Sequence, residues 1–457
     1  MTKQLEWIPS PTPPEITTVF PQFLDLSRTV ESADLATSFY RKVEIFKRSI
    51  DSLTQMQTSF AFFDDPPIAK LSGQIAQKWL GILQTAKNDL EKHPLYAQEI
   101  PQVYIAGAAL NPEDAQTRFK GRQDLFREIE NIALTSPPPT LLLYGRRRTG
   151  KTSTLNYLPQ KVGGDLIPLR VDLQGAAAAE TSYGVATSIV RQIIESARKS
   201  RNLTLNPPNQ EDLRVDPFFT LQEWFIALES RISGKKFLLC LDEYELLEKI
   251  VTATNSRASL NFLRHIIQHR PAWILLFSGS NTLEEIADYW SDYLISTRYV
   301  RITFLEKPEA IELITQPIAD FPDIYLPEAI ERIIYWTNCQ PYLVQLLCSE
   351  LVDYLNRKYP QNNLQVKATA QDIENIIPKA LEVGSAYFNE FWDNSLSAPE
   401  REFIRNLIKN ADPMAQAPVV ENKLIDKDIL KLDEQNQVCF QVPLIERCFF
   451  QKVAQEN

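Results

Sequence analysis

The stretch Gly145-Arg146-Arg147-Arg148-Thr149-Gly150-Lys151-Thr152 restricts this chain more than any other. It fits G-x-x-x-x-G-K-[ST], with the apolar run Leu141 to Tyr144 before it and a segment that reads as helix after it. Strand, tight loop and helix in that order allow backbone N–H groups to turn inward around a phosphate. Glycine accepts the backbone conformations such a loop needs, and the chain has only 13 glycines. The helix start adds the positive end of its dipole. The residues expected around the phosphates are Gly145, Thr149, Gly150, Lys151, Thr152 and Ser153. Lys151 is expected to reach the outer phosphates, and the Thr152 hydroxyl to ligate Mg²⁺.

About 90 residues on, Phe237 to Leu241 form an apolar run that empties into Asp242-Glu243. After a P-loop this is a Walker B pattern. Asp242 would hold Mg²⁺ through water, and Glu243 would orient or deprotonate the attacking water. A fourth apolar run, Trp273 to Phe277, ends in Ser278-Gly279-Ser280-Asn281. Ser280 either touches the γ-phosphate or, with Asn281, caps the next helix. Leu166 to Asp172 and Tyr299 to Phe304 complete five expected strands, separated by helical stretches. That alternation predicts an α/β fold, a parallel sheet covered on both faces. Ligands of such sheets bind beyond the carboxyl ends of the strands, where Gly145, Asp242 and Ser280 all fall.

On either side of this core the pattern is helical. Residues 1 to about 20 are Pro-rich and read as irregular. Leu35, Phe39, Val43, Phe46, Ile50 and Leu53 form one apolar stripe, and Leu71, Ile75, Trp79, Ile82, Ala86 and Leu90 a second, after an Asp64-Asp65-Pro66-Pro67 break. The two helices either pack on each other or present a docking or oligomerisation face. From Pro308 the strand signal stops and helices run to about Trp392. Beyond Leu396, helix, helix and a short strand at Val438 to Val442 suggest a winged helix. The expected domains are therefore 1–104 helical, 105–306 ATPase core, 307–394 lid and 395–457 winged helix.

A net charge of −10 argues against a general polyanion binder. The last segment, from Leu396, carries 8 Lys+Arg against 10 Asp+Glu, a net of −2, so docking on protein is expected there and DNA is not. No apolar run approaches membrane-spanning length and the first ten residues have no signal-peptide core. Five cysteines without a C-x-x-C pair fit free thiols in a cytoplasmic protein. His265 and His269 share a helix face, either solvated or as two ligands of a metal that lacks a third.

Together these features resemble the STAND class of P-loop ATPases, signalling relatives of AAA+ proteins. The resemblance runs from about Gln102 and rests on Phe119-Lys120-Gly121-Arg122, the P-loop with its three arginines, Leu241-Asp242-Glu243, Phe277-Ser278-Gly279-Ser280 and Cys339-Gln340-Pro341. It implies a slow ATPase acting as an ADP/ATP switch, with a protein partner or self-association. It further implies that Phe119 and Arg122 line an adenine site. Pro341 would bring a lid helix to the nucleotide, with Cys339 standing where the family has glycine. Arg298, with Arg301 as alternative, would be the arginine finger. Arg146, Arg147 and Arg148 would sense nucleotide or a neighbouring subunit, or stand solvated in the loop. The competing reading is an AAA+ initiator or loader that binds DNA.

Overall fold

The computed structural model describes residues 14–36, 38–60, 63, 65–93, 96, 99–111, 117–232, 234–280, 297–359, 366–409 and 417–455. The chain forms two compact units. The first runs through Val103 and includes 322–326, 349–359 and 366–369, segments expected in the lid. The second begins at Tyr104 and takes the remainder, so the expected core, most of the lid and the C-terminal segment share one unit.

In the first unit three helices, Pro14–Leu35, Phe39–Phe60 and Pro66–Glu91, bury Val19, Phe23, Leu53, Phe60, Leu80 and Leu83. Helix already begins at Pro14, where an irregular segment was expected. The first expected stripe is broken: Leu35 ends one helix, 83% exposed, and Phe39 starts the next. The third helix turns Ser72, Ala76, Leu80 and Leu83 inward and leaves Leu71 and Ile82 outside. Small Ser72 and Ala76 leave room for a neighbouring helix to come close, which an apolarity count misses. Asp65 caps this helix, accepting from Ile68 N at 3.1 Å; Asp64 lies outside the described residues.

The second unit is built on a parallel sheet of β1 (Thr140–Tyr144), β2 (Leu166–Asp172), β3 (Lys236–Asp242), β4 (Trp273–Gly279) and β5 (Thr297–Arg301), in the order β2-β3-β4-β1-β5. Period-2 alternation splits the strand residues between two cores. Leu142, Leu169, Leu239 and Leu275 pack with helices Ser182–Arg201, Pro217–Glu229 and Ala258–His269. Leu141, Leu143, Cys240 and Leu276 pack with Gln123–Ala133 and Lys151–Lys161. β5 starts two residues before the expected Tyr299 and ends at Arg301, although Ile302 N still donates to Tyr144 O at 2.8 Å.

Helices follow at Lys307–Thr315, Pro327–Thr337, Pro341–Lys358, Ala370–Val383 and Ser385–Glu390, the segment expected as a lid, with a π-helical turn at Phe391–Ser395. The expected single helix from Ala370 to Trp392 breaks at Gly384. The chain then forms Ala398–Ile408, Ala417–Asp426, an antiparallel pair of β6 (Leu430–Leu432) and β7 (Val438–Phe440), and a final helix Pro443–Gln455. β6 and the last helix were not anticipated. All five cysteines are free. Among the described residues no helix is long and apolar enough to cross a membrane.

Candidate nucleotide site

The register brings the carboxyl ends of four strands level: Tyr144 lies beside Gly279, Ser278 beside Asp242, and Asp242 beside Asp172. The loop therefore leaves β1 among acidic strand ends. Gly145 N donates to Gly279 O at 3.2 Å. A Cβ on Gly145 would stand 2.1 Å from Ile302 O, so the backbone after β5 closes against this glycine. Gly145→Ala is expected to cost about 1–3 kcal/mol of stability through overpacking; an unchanged denaturant midpoint would refute this. Gly150 ends the loop at φ 95° and caps the helix Lys151–Lys161.

Lys151 Nζ bends back to Gly145 O at 2.5 Å and Arg146 O at 2.8 Å. Burial lowers its pKa to about 8, against the pull of Glu245 and Asp242. Thr152 Oγ1 donates to Asp242 Oδ2 at 2.9 Å, and Asp242 is buried. The same oxygen accepts from Arg170 Nη2 at 3.0 Å. One hydroxyl and one carboxylate are hard oxygen donors, and so few protein ligands suit Mg²⁺, which keeps waters and phosphate oxygens. Among the described residues no cluster of three or more His, Cys, Asp or Glu could hold a metal, so His265 and His269 stay a pair.

Glu243 follows β3 in a left-handed conformation, φ 55°, which a side chain adopts only when its surroundings impose it. Burial, then Asp172 and Asp242, push its carboxyl above its ordinary value. Ser280 lines the same cavity, and its N–H donates to the Glu245 carboxylate. Glu245, too, lines the cavity. Sequence reasoning stopped at Asp242-Glu243 and missed it, although an acid two residues further on was there to read.

A cavity of about 1050 Å³ opens over the loop. Phe119 lines it, stacked on Tyr157 with ring centroids 4.7 Å apart. Arg122 lines it too, but its groups are used as ties: its guanidinium donates to Thr149 O at 3.3 Å and to Thr303 O, and its N–H to Glu309 Oε1 at 2.6 Å. Thr149 is buried and Ser153 Oγ accepts from Leu110 N at 3.0 Å. Pro341 reaches the cavity at the start of its helix. Cys339 adopts φ 62°, the left-handed turn that a glycine would occupy without strain, and Gln340 Nε2 donates to Arg148 O at 3.2 Å.

Each of the three loop arginines has a partner, although the Arg147 side chain is exposed. Arg146 lies over the Phe391 ring at 4.1 Å and donates to Asp428 O at 3.0 Å. Arg147 pairs with Glu390. Arg148 lies over Tyr342 at 4.7 Å and donates to Gly107 O at 3.2 Å. Arg298 is different. It pairs in register with Leu141, towards the start of β1 rather than its loop end, and faces Glu128 at 3.9 Å. The structure does not bring it to the phosphate loop of its own chain. Arg301, at the loop end of β5, is engaged with Asp428 Oδ2 at 3.1 Å and Asp426 O at 2.7 Å.

Loop, lysine, hydroxyl and carboxylate on one end of a parallel sheet define a P-loop nucleotide-binding core. No protein-family model and no curated protein matches the sequence. Among solved structures, the chain is similar to the Walker-type ATPase PABY2304 of Pyrococcus abyssi, at 15% identity over 76% of this chain and 99% of that one, TM-score 0.48. Cdc6p from Pyrobaculum aerophilum matches at 12% identity over 77% and 100%, TM-score 0.35. The Aeropyrum pernix Orc1 protein in complex with DNA matches at 13% over 76% and 98%, TM-score 0.38. These are distant likenesses, and the site is defined by its own geometry.

Proposed function

We propose that this chain binds ATP and ADP with Mg²⁺, hydrolyses ATP slowly, and uses nucleotide state to set how the lid and C-terminal segment hold the loop, as a switch for a protein partner or for self-association. The observation that carries this reading is the loop triplet: Arg146, Arg147 and Arg148 each contact lid or C-terminal residues rather than solvent alone. A loop that wraps phosphate and holds Phe391 and Asp428 links the two.

In this reading Lys151 leaves the loop carbonyls for the outer phosphates, and the inward N–H groups orient them. Thr152 and Asp242 would hold Mg²⁺, which when bound offsets phosphate charge. Glu243 orients water and accepts its proton. Phe119 and Pro341 flank the base. Arg298 could meet a phosphate only in a second copy of the chain. Limited proteolysis tests the switch. The C-terminal segment is expected to be cut severalfold faster with ATP than with ADP, and Arg146→Ala to be cut fast with both. Identical cleavage in all states would sink the switch.

The second reading is an AAA+ initiator- or loader-like ATPase that binds DNA. The C-terminal order helix, helix, two-stranded hairpin, helix favours it, and the similar Orc1 structure is a DNA complex. Tight duplex binding that weakens steeply with salt would establish it.

A further inference from the structure

Arg170 belongs to no motif, yet its guanidinium sits on the carboxylate at the centre of the site. It projects from β2, in register with Cys240 two residues before Asp242. Its Nη2 lies 3.0 Å from Asp242 Oδ2 and 3.9 Å from Asp172 Oδ2. Its Nε is buried and has no hydrogen-bond partner. A buried donor left unpaired is a cost, so the side chain is placed for its two carboxylates at the expense of its own satisfaction. Asp242 is 3% exposed, and its Oδ2 also accepts from Thr152. A carboxylate this deep needs a compensating charge whenever no metal is present.

We infer that Arg170 is the resident counter-ion of Asp242: a positioning residue that holds this carboxylate towards Thr152 and sets how much Mg²⁺ the nucleotide site requires. The inference rests on the Mg²⁺–nucleotide reading of the site. A fixed positive charge beside Asp242 opposes a divalent cation. Bare protein therefore holds metal weakly, and the phosphates of a nucleotide supply the missing negative charge. Metal and nucleotide then enter together.

The test is calorimetric titration of ADP into the full chain over a range of Mg²⁺ concentrations, with ADP affinity in EDTA as reference. Arg170→Met removes the charge and keeps an unbranched apolar stem. It is expected to lower the Mg²⁺ concentration for half-maximal enhancement of ADP affinity about tenfold, the size of one lost unit charge near the metal at water-like screening. Affinity in EDTA should stay within about twofold. Arg170→Lys keeps the charge and should keep the Mg²⁺ requirement, while losing the guanidinium hydrogen bond to Asp242 Oδ2. Should Arg170→Met not fold, Arg170→Gln reads the same change. An unchanged Mg²⁺ requirement in the neutral variants overturns the inference. So does an equal shift in Arg170→Lys, or a loss of affinity in EDTA, since either marks a purely structural role. Wild-type ADP binding that ignores Mg²⁺ overturns the reading of the metal site itself, and this inference with it.

Discussion

Lys151→Ala is expected to weaken ATP and ADP binding about 100-fold, the loss of roughly 3 kcal/mol of charge-assisted hydrogen bonding to phosphate. Calorimetry checks it, and unchanged affinity would remove the loop from the site. The geometry adds a pH dependence. Lys151 donates to the Gly145 and Arg146 carbonyls, and burial lowers its pKa to about 8. Phosphate needs the ammonium form. Below pH 8 the charge is present and affinity is level; above it a proton must be taken up on binding, and affinity should fall by up to tenfold per pH unit. Stability runs the other way. With a folded pKa of about 8 and an unfolded one near 10.5, the unfolded chain binds more protons between those values. This residue's penalty is therefore full below pH 8 and relieved as pH rises towards 10.5. Lys151→Ala should flatten both dependences.

What could be read from the sequence followed local rules. The P-loop, the Asp242-Glu243 strand end and the five strands announce themselves by spacing and apolar runs, because a parallel strand buried on both faces has no other composition open to it. β5 was the poorest of the five: at Thr297–Arg301 it is an edge strand with polar residues, so hydrophobicity pulled the expectation towards Ile302 and Phe304. Which end of β5 Arg298 occupies was hidden for a related reason. Adjacency to a strand says nothing of which end a residue occupies, and register with Leu141 puts it at the far one. In the N-terminal unit, apolar stripes named the second and third helices but not the first, and misplaced the buried face of the third, where Ser72 and Ala76 turn inward. Arg170 and the partners of the arginine triplet were illegible because each depends on contacts across distant chain segments. Arg146 meets Asp428 across 282 residues, and no periodicity carries that information.

Glu243→Gln is expected to reduce ATP turnover by about 10²–10⁴-fold, the usual contribution of a positioned general base, with ADP and ATP affinity within about twofold of wild type. Single-turnover hydrolysis beside calorimetry separates the two effects. A left-handed turn at φ 55° takes the chain out of β3 immediately after Asp242 and fixes where the Glu243 side chain stands. Burial and the Asp172 and Asp242 carboxylates raise its pKa, so it accepts a proton more readily than a free glutamate. Wild-type turnover should accordingly rise with pH through a range above the ordinary carboxylate value, and the amide variant should lose that limb. The outcome also decides between kinds of protein. Binding retained with turnover lost defines a hydrolysing ATPase that Glu243→Gln traps with ATP bound, and the trapped form should show the C-terminal segment in its ATP state. Equal turnover with the limb retained would transfer the base to Glu245, which lines the same cavity and accepts from Ser280 N–H. Negligible turnover in both proteins would make the chain a nucleotide-dependent scaffold, in which the arginine contacts respond to which nucleotide is bound and not to its hydrolysis.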